Sequence, residues 1–598
     1  MRPSISHVAA ARSAAIANRL GAPWSKVVGW LERRDWDEGA LLMAFALMIG
    51  AATALGVVAF YKLIDLAYAL LVLQIGARID PAVRALYRPL VTALALWIAW
   101  AIVRWARLPD GQTVPDVQLA IAKRGGVVPI RSVLVRTLAA VVTLAGGGSA
   151  GSEGPTAVLG SSIGSGVGRA LRFQPRRLKI LVGCGAAAGI SAAFNAPFAG
   201  AFFALEEVLG SFSIGAFSPV VIASVMAAIT VRPFLGSHPA FHIPPYGSIN
   251  PAAIVLLYPL LGILCGLASA FYVKMYFAVT DLFERVKPAW LRPLAGGLAV
   301  GLLGYFGGGL LTGTGHLAIP IEMFGRIAWY LLIGFAIAKM LATSLTLGSG
   351  GSGGLFTPTL FVGAAFGGGI GALAQQLLPR FGLHPEAWAL VGMAGLIAGT
   401  LHAPITAIFM VFEMTDDYNI VPPLMIVTVI AVATARRFAR HGLYDGWLAR
   451  RGEHFAHGAD RAIMQRLLVR DVMNASPVRV APGATLVEVV AATSESRVTT
   501  LPVVDADGLL QGVITYAELR LALLDRGELA SLVLAADLAE PTEVALATDT
   551  VQTALAKLNA RAADLLPIVE SESQPIFLGA LTREDVLAAY ERELMHQV

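Results

Sequence analysis

Long runs without a charged side chain constrain this 598-residue chain most strongly. Three of them are Ala40–Tyr61, Ile180–Leu205 and Met340–Pro379. Each is long enough to cross the roughly 30 Å hydrocarbon core of a bilayer, which takes about 20 apolar residues. Lipid offers the backbone no hydrogen-bond partners, so such segments must be helices. With 56% hydrophobic and 14% charged residues, the composition also excludes an ordinary soluble enzyme. The sequence predicts an all-α polytopic membrane domain.

The charges flanking this domain predict its orientation. Residues 1–37 are basic and too weakly apolar for a cleaved signal, and the segment after the last apolar run, "ARRFARHGLYDGWLARR", is basic again. Basic flanks stay on the cytoplasmic side. We therefore expect cytoplasmic termini, an even number of crossings, and a multi-pass protein of the inner membrane in contact with lipid. The net charge of +5 fits this topology better than nucleic-acid binding.

The composition changes near Arg451, where apolar runs give way to short alternating strand and helix patterns. Two units of similar length follow, residues 466–525 and 533–592, with the related endings "GVITYAEL" and "GALTREDV". We predict a soluble α/β pair after a membrane domain over residues 38–450.

The membrane domain contains an internal repeat. "GSEGPTAVLG" aligns with "GGLFTPTLFVG", which places Pro155 on Pro358, and a later alignment places Pro197 on Pro404. The repeats span about residues 38–235 and 250–440. Proline is tolerated at the first position of a helix, so each proline is predicted to open one. Paired interrupted segments in transporters direct helix N-termini at a substrate, here an anion. The alternative is that the glycines only permit close helix packing.

Glu153 is the only charged residue between Arg136 and Arg169. A carboxylate at a helix start would compete with an anion for that position, and protonation would release it. We therefore predict a gate, with helix capping as the alternative. The repeat partner of Glu153 is Phe356.

A second acidic pair, Glu206 and Glu207, lies on the helix that Pro197 is predicted to open. Glu206 aligns with Glu413, so it is interpreted as a structural hydrogen-bonding group. Glu207 aligns with Met414 and has no acidic counterpart, which favours a role in only one half of the domain.

The segments "GSEGP", "GGLFTP" and "GLYDGW" resemble the CLC family of chloride channels and chloride/proton antiporters over about residues 38–450. The resemblance implies a homodimer with two inverted repeats and one pathway per subunit for chloride and other monovalent anions, and no cofactor in the membrane part. It makes Glu153 the gating residue and Glu207 the internal proton-transfer residue, which favours an antiporter over a passive voltage- or pH-gated channel. The implied anion-binding positions are Gly154, Leu355, Phe356 and Tyr444.

Two positions depart from the family pattern. Ser152 stands where a basic residue often precedes the gating glutamate. Where the family usually reads Gly-Ser-Gly-Ile-Pro, this chain reads "GQTVP", which puts Gln112 in the place of the anion-binding serine. A glutamine amide can also donate to an anion, but its longer reach would reshape the inner entrance.

The soluble units resemble a pair of CBS domains, which often bind adenine nucleotides. The family pattern Gly-x-x-Thr-x-x-Asp is matched by Gly579, Thr582 and Asp585, whereas the first unit has Thr515 followed by Glu518. The resemblance implies ATP, ADP or AMP binding, better at the second unit. The alternative is a paired module that only supports the dimer.

Other classes of function fit less well. The segment "GSGGSGG" lacks the lysine of a phosphate-binding Walker loop, and Ser352 has no partner at an obvious catalytic spacing. A cation transporter with CBS domains would need several acidic residues along its pathway, and the apolar segments supply too few. We expect no enzyme activity.

Overall fold

The computed structural model describes residues 38–79, 81–108, 113–236, 251–314, 327–415, 417–453, 464, 467–495, 500–524, 533–560, 564–571 and 573–597. Gln112 and the N-terminal segment 1–37 lie outside the described residues. The chain divides into two compact units, residues 1–455 and 456–598, and each is described by itself.

In the first half of the membrane unit, the described residues form eight helices of seven residues or more. The first continues through a π-helical turn, Ala69–Gln74, and the seventh through another, Ala204–Val208. The helices are α1 (Glu38–Tyr68), α2 (Pro81–Trp105), α3 (Thr113–Lys123), α4 (Ile130–Ala145), α5 (Glu153–Ala170), α6 (Pro175–Phe194), α7 (Pro197–Phe203) and α8 (Ile214–Leu235).

The second half follows a similar order. Its helices are α9 (Pro251–Leu256), α10 (Tyr258–Arg285), α11 (Leu291–Phe306), α12 (Trp329–Gly348), α13 (Phe356–Leu377), α14 (Pro385–Leu401), α15 (Pro404–Thr415), α16 (Val421–Phe438) and α17 (Leu443–Arg450). Within the described residues, eight helical segments are long and apolar enough to cross a membrane. One large apolar core runs through both halves.

Close helix contacts repeat between the halves. A Cβ on Gly160 of α5 would lie 1.9 Å from the carbonyl oxygen of Gly185 on α6. In the second half, a Cβ on Gly363 of α13 would lie 2.5 Å from the carbonyl oxygen of Gly392 on α14. Both helix crossings therefore require glycine. The glycines do permit close helix packing, and this packing is repeated in the two halves.

The helix starts correct one detail of the sequence prediction. Pro197 and Pro404 are the first residues of α7 and α15, as predicted, but Pro155 and Pro358 are the third residues of α5 and α13. The third residue of a helix also has no intrahelical acceptor for its N–H, so proline costs no hydrogen bond there.

The helix from Pro197 is also not a regular α-helix up to Glu207. The α-helix ends at Phe203 and a π-helical turn follows, in which the hydrogen bond from the Leu209 N–H to the Ala204 carbonyl, at 2.8 Å, spans five residues. Glu206 and Glu207 therefore lie on a π-helical turn, a feature that often marks a functional site.

The soluble unit has two small sheets, each flanked by helices. β1 (Leu501–Val504) and β2 (Leu510–Ile514) are antiparallel; β3 (Ala545–Leu546) runs parallel to β4 (Leu565–Val569), which pairs antiparallel with β5 (Phe577–Thr582). The helices are α18 (Leu486–Glu495), α19 (Tyr516–Leu524), α20 (Ala535–Leu538), α21 (Val551–Ala560) and α22 (Arg583–Gln597).

Within the soluble part, the two α/β units, residues 466–525 and 533–592, exchange the segments that precede their sheets. Leu468, before the first sheet, bridges to Thr550 in the second unit, whereas Glu540, before the second sheet, bridges to Val513 in the first. Val469 accordingly packs in the apolar core of the second unit. Each unit therefore completes its core with residues from the sequence of the other.

Candidate functional site

The starts of α5 and α13 meet through a short antiparallel bridge between the repeats. The Gly151 N–H donates to the Gly354 carbonyl at 2.8 Å, and the Gly354 N–H donates to the Gly151 carbonyl at 2.7 Å. Since these glycines are equivalent in the two repeats, the bridge places the two helix starts symmetrically against each other.

Four polar residues that the sequence analysis did not select reinforce this junction. The Ser149 N–H donates to the Thr346 hydroxyl at 3.0 Å, and the Ser352 N–H donates to the Thr143 hydroxyl at 3.1 Å. The two bonds are equivalent under the repeat. The repeat itself carried the signal, because the alignment extends upstream into "TLAGGGSAG" and "TLGSGGSGG".

Glu153, the first residue of α5, is buried and lies against the start of the opposite helix, α13. Its Oε1 accepts the Thr357 N–H at 3.0 Å, and its Oε2 accepts the Thr357 hydroxyl at 2.7 Å. The carboxylate therefore occupies a helix N-terminus that favours negative charge. Thr357 aligns with Gly154, so the first repeat offers no matching hydroxyl.

Glycines leave the space that this carboxylate fills. A Cβ on Gly151 would lie 1.9 Å from Glu153 Oε1, and a Cβ on Gly354 would lie 2.6 Å from the same atom. Ser152, which stands where the family often has a basic residue, shares a 2.9 Å hydrogen bond with the Tyr61 hydroxyl. The carboxylate thus has polar neighbours and a close-fitting glycine wall.

Four of the five predicted anion-binding residues, all except Gln112, lie within the described residues. Leu355 and Phe356 form the start of α13, Gly154 is the second residue of α5, and Tyr444 is the second residue of α17. Phe356 is fully buried. The buried Tyr444 lies within electrostatic range of both Glu153 and Glu207.

Glu206 and Glu413 cap helices of the opposite repeat. Glu206 accepts the Ile405 N–H at 3.2 Å and the Thr406 N–H and hydroxyl at 2.7 and 2.6 Å, all at the start of α15. Reciprocally, Glu413 accepts the N–H groups of Phe198 and Ala199 at 2.9 and 2.7 Å, at the start of α7. The arrangement is that of structural hydrogen-bonding groups.

Glu207, the residue after Glu206, is also buried. The negative charges that act on it most strongly are those of Asp445 and Glu206. The Glu207 backbone carbonyl accepts the amide Nε2 of Gln118, a fully buried residue of α3, at 2.7 Å. Gln118 was not selected from the sequence, where a single glutamine gives no pattern. It links α3 directly to the π-helical turn.

The candidate nucleotide-binding residues pair with each other. The Thr582 N–H and hydroxyl donate to Asp585 Oδ2 at 2.9 and 2.7 Å at the start of α22. Thr515 and Glu518 make the same contacts at the start of α19, and the Thr515 hydroxyl lowers the pKa of Glu518. Both acids therefore act as helix caps, so the Asp-to-Glu difference leaves this structural role unchanged.

In the part of the chain that the structure describes, no group of three or more His, Cys, Asp or Glu residues could hold a metal ion. Cys184 and Cys265 are buried free thiols.

Comparisons with known proteins agree with this architecture. The family described as voltage gated chloride channel matches residues 92–436, and the CBS domain family matches residues 469–525. A ClcB-like chloride channel protein of Ralstonia nicotianae is 37% identical over 345 residues, covering 56% of this chain and 79% of that protein. The H(+)/Cl(-) exchange transporter ClcA of Salmonella agona is 32% identical over 436 residues, covering 70% and 90%.

A solved structure has the same fold in its membrane part. The crystal structure of a slow cyanobacterial Cl-/H+ antiporter superposes with a TM-score of 0.64 at 26% identity, covering 70% of this chain and 99% of that chain. The chain therefore belongs to the voltage gated chloride channel family, with a CBS domain after its membrane unit.

Proposed function

We propose that this protein exchanges chloride for protons across the membrane, with Glu153 as the gate. The observation that carries the proposal is the position of the Glu153 carboxylate on the N-terminus of α13, bound to the Thr357 N–H and hydroxyl. An anion needs the same kind of donors. Since the family consists of channels and transporters, the protein is not an enzyme.

The gate works by competition. While Glu153 is ionised, its carboxylate accepts the hydrogen bonds of the Thr357 N–H and hydroxyl. A chloride ion cannot bind to these donors until the carboxylate leaves them. Protonation removes the negative charge that the helix start attracts, so the side chain leaves and chloride binds. Leu355, Phe356, Gly154, Tyr444 and Gln112 complete the anion pathway in this proposal.

Glu207 is proposed as the internal proton relay. Its neighbour Glu206 is committed to the start of α15 by three hydrogen bonds. Glu207 does not cap a helix, and its charge acts on the nearby Tyr444. In this proposal a proton passes between Glu207 and Glu153 through water beside the anion pathway, which would couple each opening of the gate to a proton.

Family membership supports the wider setting of the proposal. We infer a homodimer in the inner membrane, with one anion pathway in each subunit and both termini in the cytoplasm. Adenine nucleotide bound near Thr515, Thr582 and Asp585 would regulate transport. At Thr515 this part rests on the CBS match over residues 469–525. At Thr582 and Asp585 it rests on the resemblance of the second unit, whose Thr–Asp contacts match the Thr–Glu contacts of the first.

The test is a paired flux measurement on the purified protein in liposomes. An outward chloride gradient should drive protons uphill into the liposomes, and Glu207→Ala should keep chloride flux while proton flux falls to background. If the wild-type protein carried chloride without moving protons uphill, the antiporter proposal would be wrong and the passive channel would take its place. Absence of any anion flux would contradict both.

The gate has its own test. Glu153→Gln mimics the protonated acid, so anion flux should continue and lose its dependence on pH, and proton coupling should disappear. A variant that kept the wild-type pH dependence would show that another group gates the pathway.

A further inference from the structure

A cavity of about 70 Å³ lies between α1, α2 and α11, outside the site described above. It adjoins the first residues of the apolar span Tyr87–Trp105 of α2, and so lies where a helix leaves the hydrocarbon core. Three tyrosines and one arginine line it, namely Tyr68, Tyr87, Tyr305 and Arg88. Tyrosine is enriched at membrane–water interfaces, where its ring is in lipid and its hydroxyl in the polar layer.

Arg88 supplies an uncompensated positive charge. Its side chain is exposed, and in the described part of the chain it forms no ion pair. Its guanidinium lies beside the glycine loop after α11, since a Cβ on Gly309 would be 3.6 Å from Arg88 Nη1. A cation at the end of a span attracts an anionic group from the headgroup layer.

Hydrogen bonds fix the walls of the cavity. The Tyr87 hydroxyl donates to the carbonyl of Leu71, within the π-helical turn that continues α1. The Thr92 hydroxyl, one turn after Arg88, donates to the Gly146 carbonyl at 2.8 Å. These bonds hold α1, α2 and the end of α4 around the opening. The cavity is therefore a built feature of the fold.

An exposed apolar strip leads away from the cavity. Helices α2 and α11 pack antiparallel, because a Cβ on Gly297 would meet Ala93 and a Cβ on Gly301 would meet Pro89. Exposed leucines follow both helices from the level of Arg88 toward the middle of the span; they are Leu90 and Leu94 on α2 and Leu298 and Leu302 on α11. A polar, positively charged cavity above paired apolar surfaces matches the two ends of a lipid.

We propose that this cavity binds an anionic phospholipid, with the headgroup phosphate on Arg88 and an acyl chain along the leucine strip. A guanidinium matches phosphate oxygens with two parallel N–H donors. The hydroxyls of Tyr68 and Tyr305 are further donors at the opening. The inference is independent of the exchange mechanism, because none of these residues belongs to the anion or proton pathway.

Native mass spectrometry of the full-length protein in detergent tests the proposal by titration with dioleoyl-phosphatidylglycerol. Arg88→Gln should weaken binding about tenfold, the loss expected for one charge-assisted contact, and Arg88→Lys should restore part of it. Arg104→Gln, which removes an exposed arginine near the opposite end of α2, is the control and should bind as the wild type does.

Two further arms identify the ligand. Dioleoylglycerol, which lacks the phosphate, should bind weakly and equally to the wild type and to Arg88→Gln. Inorganic phosphate in large excess should fail to displace phosphatidylglycerol, because it gains nothing from the leucine strip. Equal phosphatidylglycerol binding by wild type and Arg88→Gln would overturn the proposal, and displacement by inorganic phosphate would make the cavity a simple anion site.

Discussion

The reciprocal caps formed by Glu206 and Glu413 lead to a prediction about stability. Glu206→Ala removes three hydrogen bonds from the start of α15, with donor–acceptor distances of 2.6, 2.7 and 3.2 Å. Hydrogen bonds to a charged group contribute about 1.5–3 kcal/mol each, but bonds that share one carboxylate are not additive. Two backbone N–H groups also lose their partner. We expect a loss on the order of 3–5 kcal/mol, a large fraction of the stability of a typical domain.

The neighbouring acids provide graded controls. Glu413→Ala removes two bonds, at 2.9 and 2.7 Å, from the start of α7, and should cost about 2–3 kcal/mol. Glu207→Ala removes a buried carboxylate that caps no helix, so the thermal midpoint should stay near that of the wild type. The assay is the thermal midpoint of monodisperse protein in detergent, followed by size-exclusion chromatography after heating.

A double-mutant cycle separates the cap from a general effect of truncation. Thr406→Val removes only the hydroxyl that donates to Glu206. Because each single change removes the same contact, the loss in the double variant should be smaller than the sum of the single losses by about 1 kcal/mol. Equal thermal midpoints for Glu206→Ala and Glu207→Ala would refute the assignment of Glu206 as the structural member of the pair.

Three further predictions concern the anion site and the soluble unit. Gln112→Ser should shift selectivity among chloride, nitrate and bromide, and unchanged competition constants would show that Gln112 does not reach the anion. Gly151→Ala should push the Glu153 carboxylate from its place, because a Cβ would lie 1.9 Å from Oε1; anion flux should then rise at high pH, whereas Gly166→Ala, with open space around the Cβ, should behave as the wild type. Asp585→Ala should weaken the binding of ATP, ADP or AMP to the full-length protein, measured by calorimetry. If the wild-type protein gave no heat of binding with any of the three, the proposal of nucleotide binding would be wrong.

The internal repeat explains why much of the site could be predicted from sequence. It paired Glu153 with Phe356 and Glu206 with Glu413, and both pairs occupy equivalent positions in the structure. A repeat states which residues are equivalent, but it does not state which surfaces meet. The contact between Glu153 and Thr357 joins residues 204 positions apart, and no local pattern contains it.

Two other features also depend on long-range contacts. Gln118 reaches the Glu207 carbonyl across 89 positions, and a single glutamine in an amphipathic segment carries no periodic signal. The two α/β units of the soluble part exchange the segments that precede their sheets, which changes the residues that complete each core. The order of strands and helices was predictable there, because it depends on local alternation, whereas the exchange depends on pairing energies between distant strands.

The position of each carboxylate on the backbone separates the proposed gate from the structural caps. Glu153 and Glu206 each accept the N–H and hydroxyl of a threonine at the start of a helix in the other repeat, and Glu206 also accepts the Ile405 N–H. Glu206 lies within a helical turn that continues α7, so the helix on its N-terminal side restrains its backbone. Glu153 begins its helix after a glycine-rich loop and is followed by Gly154. The extra hydrogen bond and the stronger backbone restraint of Glu206 support its assignment as a cap, and the weaker restraint of Glu153 supports the proposal that this carboxylate is the one that moves.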